Sequence, residues 1–385
     1  MSKSDYLTQL GTYLIEQMQR YVVKALQAMQ LLEQRIIKNW SNRRSVQRFG
    51  YLFLVSAVLS VAIASCSGGT LANKADVKLK LVSFSVTKAA HDIIIPKFVA
   101  KWKQEHNQNV TFEQSYGGSG AQTAAVIAGS QAADIVHLAL PLDVNKIQQA
   151  GLIKSGWDIR SPRNGIVSRS VAAIVTREGN PKGIKTWEDL AKDGVKVIAA
   201  NPKTSGIAIW EFLAFWGSVT LTGGDEATAL DYVTKVYKNT PVLTKDAREA
   251  SNLFFQQNQG DVLINYENEV FLAEKSGNKL PYIVPKVNIS IDNPVAVVDK
   301  NVDKHGTRKV AQAFVDFLYS TEAQREFAKL QYRPVNPTVT QEVTSQFPQI
   351  ETLFTSQDLG GWDNIQKKFF GEGAIFDKIQ AANKA

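Results

Sequence analysis

The stretch Gln114-Ser115-Tyr116-Gly117-Gly118-Ser119-Gly120 lies between a predicted strand, Val110–Gln114, and a predicted helix, Ala121–Ala128. The strand ends, glycines allow a tight turn, and a serine precedes the helix. A second stretch, Asn201-Pro202-Lys203-Thr204-Ser205-Gly206-Ile207, has the same order of features. A strand, a short loop and a helix form the repeating unit of α/β folds, so these stretches set the fold class.

The alternation of strand and helix patterns extends outward from both stretches. The predicted strands are Leu79–Ser85, Val110–Gln114, Asp134–Ala139, Val171–Thr176, Val195–Ala200, Asp261–Tyr266 and Val295–Val298. The predicted helices are Ile93–His106, Ala121–Ala128, Ile207–Trp216, Asp225–Tyr237, Arg248–Gln257, Lys309–Tyr319 and Glu322–Leu330. This order predicts an α/β protein with doubly wound sheets and flanking helices.

Two turn-rich breaks, Ser161–Val167 and Asn288–Pro294, divide a chain of 385 residues, which is long enough for two lobes. We predict that residues 78–165 plus 292–385 form lobe one and that residues 166–291 form lobe two. Ligands of such folds bind outside the carboxyl ends of strands, often between domains. The two quoted stretches are therefore the candidate site.

The N-terminal part has the features of an export signal. Residues 51–64 carry no charge, arginines precede them, and the small residues Ala64-Ser65 are followed by Cys66. A positive region, an apolar region and a small-residue cleavage site define a secretory signal. A cysteine at this position resembles the lipobox of bacterial lipoproteins, which implies a lipid on Cys66. We predict an extension and signal over residues 1–65 and a tether over residues 66–77. An uncleaved anchor is the alternative, although the run is shorter than the roughly 20 residues that span a bilayer.

The positive charge is concentrated in the same region. Residues 1–65 contain eight Lys and Arg against three acids, so they carry +5 of the net charge of +8. A nucleic-acid binder would keep its basic patch on the folded domain, and we expect no nucleic-acid partner. Residues 1–42 have apolar residues at helical spacing, which predicts an amphipathic helix, and the alternative is an upstream start codon or a poorly ordered extension.

The residues at the two helix starts suit an anion. The first N–H groups of a helix have no internal acceptor and the helix dipole is positive there. Ser119 and Ser205 could add hydroxyl donors, and the neighbouring glycines allow close approach to the backbone. The alternative is that both serines only cap their helices.

Enzymatic sites lack their defining residues. Neither stretch has the order of a nucleotide-binding P-loop, and Gly117–Ala121 lacks the last glycine of a nucleophile elbow. A serine hydrolase needs a histidine base, but the four histidines, at 91, 106, 137 and 305, stand without a companion motif. One cysteine excludes a disulfide within the chain and a cysteine-rich metal site. We expect no enzyme activity, no metal and no cofactor.

From about Lys80 to Ile379 the chain resembles the periplasmic sulfate- and thiosulfate-binding proteins of ABC importers. The resemblance rests on the two quoted stretches and on Gly260-Asp261-Val262-Leu263-Ile264, Tyr332-Arg333-Pro334, Gly360-Gly361-Trp362 and Gly373-Ala374-Ile375-Phe376-Asp377. It implies the two-lobed periplasmic-binding-protein fold (type II), with the ligand in the cleft between the lobes. It also implies a monomer in the periplasm, held to the cytoplasmic membrane as a lipoprotein, that delivers sulfate to permease and ATPase subunits of an ABC importer.

The resemblance implies that neutral hydrogen-bond donors hold the anion. The donors would be the hydroxyl of Ser119 from lobe one, the hydroxyl of Ser205 from lobe two, and the backbone N–H groups of Gly206, Ile207 and Ala247. Ile207 replaces a glycine that is usual in the family, which preserves the backbone donor.

Two site positions depart from the family. Tyr266 stands where the family has a ligand-contacting tryptophan, and Ser85 stands where it has an aspartate, at the edge of the site. Arg248 and Gly118 would support the site from behind the contacting groups. Because a phenol both donates and accepts while an indole only donates, Tyr266 could weaken discrimination against phosphate, which carries a proton.

The sequence leaves the ligand open among close relatives of sulfate. Thiosulfate and molybdate are the alternatives within the same class of binding protein. A hydrolase of sulfate or phosphate esters is a remote alternative, because it would need a nucleophile with a base or a metal.

Overall fold

The structure is a computed structural model, and it describes residues 75–383. The predicted signal, the lipid on Cys66 and the helical pattern within residues 1–42 lie outside the described residues.

Strands and helices alternate along most of this range. The strands are β1 Val77–Phe84, β2 Val110–Gly117, β3 Ile135–His137, β4 Ile166–Ser170, β5 Ala172–Thr176, β6 Val197–Ala200, β7 Val242–Thr244, β8 Val262–Tyr266, β9 Tyr282–Ile283, β10 Val287–Ile289, β11 Ile291–Val297, β12 Arg333–Pro334 and β13 Thr352–Phe354. The helices are α1 Lys88–His106, α2 Ser119–Ile127, α3 Pro141–Gln149, α4 Gly206–Thr220, α5 Glu226–Lys238, α6 Ala247–Ser251, α7 Glu267–Lys275, α8 Asp299–His305, α9 Arg308–Leu318, α10 Thr321–Lys329, α11 Pro337–Val343, α12 Gly361–Ile365 and α13 Ile375–Ala382.

The first sheet has six strands in the order β12-β4-β11-β3-β1-β2. Its strand β1 is parallel to both β2 and β3, and Phe84 pairs with Gly117 at the carboxyl ends. Parallel strands bring their following loops to one edge of the sheet. The residues after β1, β2 and β3 therefore lie side by side.

The second sheet has five strands in the order β7-β6-β8-β5-β9. Strand β6 is parallel to β7 and β8, so these strands end at the same edge, at Ala200, Thr244 and Tyr266. Two sheets with flanking helices confirm the predicted α/β class and the two-lobed fold.

The helices that cover the sheets are amphipathic or fully buried as their composition requires. Helix α1 buries Ala90, Ile94, Phe98 and Trp102, which recur every four residues on one face. Helix α4 is different, because it is buried from Gly206 to Ser218 without an exposed face. A helix that is apolar all round must be covered on both sides, which has a consequence for the C-terminal segment.

Strand β4 differs from the predicted lobe bounds. The sequence predicts residues 166–291 as lobe two, but β4 pairs with β11 and β12 in the six-stranded sheet. The polar residues of β4 hid it from prediction. They are satisfied by distant side chains, since the hydroxyl of Ser170 donates to Asn268 Oδ1 at 2.9 Å.

The C-terminal segment also departs from prediction. The sequence predicts residues 292–385 as part of lobe one, but β13 pairs with β10, and the residues after it cover α4. The rings of Trp362 and Trp210 lie 5.0 Å apart, and those of Phe369 and Trp216 lie 4.9 Å apart. This segment supplies the second cover that the apolar helix α4 needs.

Among the helices of residues 75–383, none combines the length and the apolar composition that crossing a bilayer requires.

Candidate anion-binding site

Three loops from the two facing sheet edges meet between the lobes. The amide of Ala121 in lobe one donates to the carbonyl oxygen of Thr204 in lobe two at 3.2 Å. A Cβ added to Gly118 would lie 2.3 Å from that oxygen and 2.8 Å from the carbonyl oxygen of Lys245. Only glycine fits this approach, and the loops after β2, β6 and β7 are therefore in direct contact.

The start of α2 offers backbone donors. The amide of Ala121 is taken by Thr204, and the amide of Gln122 donates to Gly118 at 2.9 Å. Within the described part of the chain, this leaves the amides of Ser119 and Gly120 without an acceptor, as expected for a first helical turn.

The hydroxyl of Ser119, which the sequence predicts as an anion donor, already has hydrogen-bond partners within lobe one. It donates to Asp143 Oδ2 at 2.7 Å and accepts from the amide of Ala139 at 3.0 Å. Because the hydroxyl hydrogen of Ser119 is donated to Asp143, we expect the backbone N–H of Ser119 to donate to an anion instead. Burial raises the pKa of Asp143, which is almost completely inaccessible to solvent.

The start of α4 has a free hydroxyl. Ser205 is buried, its amide donates to Asn201 at 2.8 Å, and its side chain does not cap the helix. No hydrogen bond among residues 75–383 uses this hydroxyl, so it and the first amides of α4, those of Gly206 and Ile207, are available together. Neither serine caps its helix through its side chain: Ser205 is the cap residue of α4 but makes no side-chain cap hydrogen bond, and the cap residue of α2 is Gly118.

The start of α6 leaves one donor at the same place. Asp246 caps this helix by accepting from the amides of Arg248 at 2.9 Å and Glu249 at 3.0 Å. The amide of Ala247 is therefore the first-turn donor that Asp246 does not use. The side chain of Asn265 donates to the carbonyl oxygen of Ala247 at 2.9 Å and fixes this peptide.

Tyr266 lies at the end of β8 and faces lobe one. Its side chain is 1 % exposed, and its ring lies 6.0 Å from the ring of Phe84. Burial raises the pKa of Tyr266 well above its usual range, and the nearby Tyr332 and Glu211 act in the same direction. The phenol therefore stays protonated and can donate to an anion.

Ser85 and Arg248 lie at the rim. Ser85 follows β1 directly, and both residues line a cavity of about 730 Å³ together with Lys88, Tyr116 and Lys245. Arg248 Nη2 donates to Glu269 Oε1 at 2.8 Å, so its charge is partly balanced inside lobe two. All the predicted site residues thus lie along the two facing edges, with Gly118 as a contact between the lobes.

Sequence reasoning missed Asp143, Asn265 and Glu269. Asp143 belongs to α3, which was not predicted, although it follows β3 at the same sheet edge as the glycine-rich loop. Its place directly after β3, at the edge where the other loops end, was the signal from which the sequence could have identified Asp143. The roles of Asn265 and Glu269 depend on contacts between β8, α6 and α7 that spacing does not show.

The two buried histidines form a neutral chain in lobe one. His91 Nε2 lies 3.0 Å from His137 Nδ1, and His91 Nδ1 lies 3.0 Å from the hydroxyl of Tyr116. Burial lowers the pKa of His91 to about 3, and the pKa of His137 is also lowered by burial. Over residues 75–383 neither imidazole bonds to a serine hydroxyl through a ring nitrogen, which differs from a hydrolase triad.

Comparisons with known proteins identify the family. Residues 79–333 match the family model described as bacterial extracellular solute-binding protein. The chain is 55 % identical over 339 residues to the sulfate-binding protein of Synechococcus elongatus, covering 86 % of this chain and 96 % of that protein. It is 37 % identical over 305 residues to the thiosulfate-binding protein of Pseudomonas aeruginosa, covering 78 % and 92 %.

A solved structure agrees with these matches. The sulfate-binding protein SubI from Mycobacterium tuberculosis H37Rv superimposes with a TM-score of 0.70 at 32 % identity, over 77 % of this chain and all of that chain. The chain belongs to the bacterial extracellular solute-binding protein family. The predicted resemblance is confirmed, and these relatives are binding proteins by name, in agreement with the expectation that the chain is no enzyme.

Gly206→Ala should abolish closure of the lobes. A Cβ at this position would lie 2.3 Å from Ala139 Cβ and 2.6 Å from Leu140 Cδ2, which both belong to the opposite lobe. We expect a loss of anion affinity of at least about a hundredfold, since roughly 2.7 kcal/mol of closure energy corresponds to that factor. Titration calorimetry measures the affinity, and urea unfolding should show little change because open lobes avoid the clash.

The matched control is Gly117→Ala. A Cβ there meets only the side chain of Gln122, at an ordinary 3.5 Å. Equal affinities of the two variants would contradict the geometry of the closed cleft.

Proposed function

We propose that this protein captures sulfate outside the cytoplasm and delivers it to the permease of an ABC importer. The observation that carries the proposal is the convergence of three helix starts, from two facing lobes, whose first amides have no acceptor within residues 75–383. The sulfate-binding relatives at 55 % and 32 % identity support the choice of ligand.

The chemistry of sulfate fits such a site. Sulfate is fully ionised at neutral pH and only accepts hydrogen bonds. The proposed donors are the amides of Ser119, Gly206, Ile207 and Ala247 and the hydroxyls of Ser205 and Tyr266. Charge-assisted bonds contribute roughly 1.5–3 kcal/mol each, so six would give about 9–18 kcal/mol. A micromolar binder needs about 8 kcal/mol net, and ordering and closure offset the rest.

Lobe closure is part of the proposal. The chain crosses between the sheets once between β4 and β5 and again near β10, and the side chain of Asn288 donates to the carbonyl oxygen of Ala172 at 2.8 Å. Two adjacent crossing segments favour a hinge motion. We place lobe one at residues 75–170 and from 291 onward to β12, lobe two at residues 171–290, and the C-terminal segment across both. One chain supplies every proposed donor, which fits a monomer.

A panel of anions tests the function. A ligand that binds only the folded protein raises its stability, by about 2.7 kcal/mol at a concentration a hundredfold above the dissociation constant. We expect sulfate to raise the melting temperature of the wild-type protein and to leave Gly206→Ala unchanged. If no tetrahedral oxyanion shifts the wild-type melting temperature, the proposal is wrong.

Thiosulfate is the second candidate ligand. The thiosulfate-binding relative at 37 % identity favours it, and one terminal sulfur replaces one oxygen in an otherwise similar anion. Molybdate is the remaining alternative of the same class. Competition calorimetry with sulfate, thiosulfate and molybdate ranks the three.

Tyr266→Trp should increase the discrimination against phosphate. The phenol oxygen can accept the proton of hydrogen phosphate, whereas an indole N–H cannot, and an unsatisfied buried group costs roughly 1–3 kcal/mol. We expect the affinity for phosphate relative to sulfate to fall by about 5- to 150-fold, as measured by titration calorimetry. Tyr282→Trp is the control, since Tyr282 is an exposed tyrosine of the second sheet. If Tyr266→Trp leaves the ratio of phosphate to sulfate affinity unchanged, the phenol does not have this role.

We further propose that the protein is a periplasmic lipoprotein anchored to the cytoplasmic membrane through Cys66. The support is the apolar run over residues 51–64, the small residues before the cysteine, and the match to an extracellular family.

Cys66→Ser should release the protein from membranes. A thiol that carries lipid is the attachment point, and this is the single cysteine of the chain. We expect the wild-type protein in the membrane fraction with an intact mass above that of the bare chain, and the variant in the aqueous fraction. If the variant stays in the membrane fraction after salt washing and after phase separation in detergent, the result contradicts lipid anchoring and favours an uncleaved anchor.

A further inference from the structure

Glu269 is a buried carboxylate close to the proposed anion site. It lies on α7 and is 3 % exposed. Its Oε1 accepts from Arg248 Nη2 at 2.8 Å, and its Oε2 lies 3.5 Å from the hydroxyl of Ser251. The side chain of Arg248 is 37 % exposed, and its buried Nε has no partner among the described residues. One partly solvated arginine therefore balances this carboxylate.

The surroundings of Glu269 contain few other charges. The titratable and charged groups that face it are Arg248 on α6, Asp246 at the cap of that helix, Tyr266 at the end of β8, and Tyr332 just before β12. Both tyrosines are buried and hold their protons, because burial raises their pKa values well above the usual range. Burial raises the pKa of the Glu269 carboxyl to about 7, so its charge can change near neutral pH.

A continuous set of contacts joins Glu269 to the proposed donors. The side chain of Asn265 donates to the hydroxyl of Ser251 at 3.0 Å and to the carbonyl oxygen of Ala247 at 2.9 Å. Its own oxygen accepts from the amide of Tyr266 at 2.8 Å. Glu269 therefore connects, through Ser251 and Asn265, to two residues that would contact the anion.

We infer that Glu269 is a positioning residue that takes up a proton when the anion binds, so that sulfate capture is coupled to protonation of this carboxyl. The inference rests on the proposed function. A dianion brought to the start of α6 repels a carboxylate behind the same helix turn, and protonation removes this repulsion. Protonation of Glu269 also removes the negative charge that balances Arg248, so the positive charge of Arg248 attracts the anion more strongly.

The direction of the pH effect follows from linkage. Burial raises the pKa of Glu269 to about 7, and the bound anion raises it further. Between the two values the complex holds more protons than the free protein. Affinity is therefore highest below pH 7, falls as the pH rises through this window, and is lowest above the bound-state pKa. Each unit of pKa difference changes the affinity about tenfold.

Calorimetry in buffers of different ionisation enthalpy tests the inference on the full protein with sulfate, which holds no proton between pH 6 and 8. For the wild-type protein we expect uptake of a fraction of a proton at pH 7 and an affinity about 3- to 10-fold lower at pH 8 than at pH 6. Glu269→Gln imitates the protonated carboxyl. It should take up no proton through this group and bind at pH 8 as tightly as the wild-type protein binds at pH 6.

Glu274→Gln is the matched control, because Glu274 lies on the same helix and pairs with Lys279 at the surface at 3.0 Å. This variant should keep the wild-type pH profile. The inference is overturned if wild-type binding exchanges no proton, or if Glu269→Gln keeps the pH dependence while Asp143→Asn loses it. Absence of sulfate binding in every variant and in the wild type overturns the proposed function itself, whereas binding without proton uptake overturns the inference alone.

Discussion

The site depends on one constraint, which is that the first amides of an α-helix have no acceptor within the helix. In this protein three such starts follow β2, β6 and β7, whose carboxyl ends lie at the facing edges of two sheets. Parallel pairing within each sheet brings these ends together, and small residues at positions 118 and 206 let the lobes approach to backbone contact. In the proposed site these amides donate to one anion, without a cation among the proposed contacts. Everything else about the cleft follows from how the neighbouring side chains use or leave these donors.

Much of the fold could be predicted from the sequence, because long elements with regular patterns report their own structure. Each of the predicted strands and helices overlaps an observed one, and the helix predicted at Ile93–His106 begins only slightly earlier, at Lys88. The short strands β4 and β7 and the helix α3 are among the elements that escaped prediction. Their polar residues are satisfied by partners far away in the chain, as Ser170 is by Asn268. A pattern of hydrophobicity cannot contain that information.

The site was predictable as a set of backbone positions and less so as a set of side chains. The loops were placed correctly because glycine, serine and a helix start have local causes. The hydroxyl of Ser119 was assigned to the anion, yet Asp143 takes its hydrogen, and that contact spans two elements of which one was not predicted. The buried carboxyls Asp143, Glu211 and Glu269 surround Tyr266, and burial raises the pKa of each. Burial thus favours the neutral, protonated form of these carboxyl groups, which lie next to the proposed anion site.

The path of the C-terminal segment has a practical consequence. The described chain enters through β1 in the six-stranded sheet, while its last helix, α13, packs with α5 beside the other sheet, where Asp377 pairs with Lys203 at 2.7 Å. The first strand and the last helix of the described chain therefore lie against different sheets. A donor fluorophore attached at Asp76 and an acceptor attached at Asn383 would ride on opposite halves of the hinge, and their energy transfer would report opening and closing in real time. The same molecule that binds the anion could in this way serve as an optical sensor for it, with no dye inside the cleft.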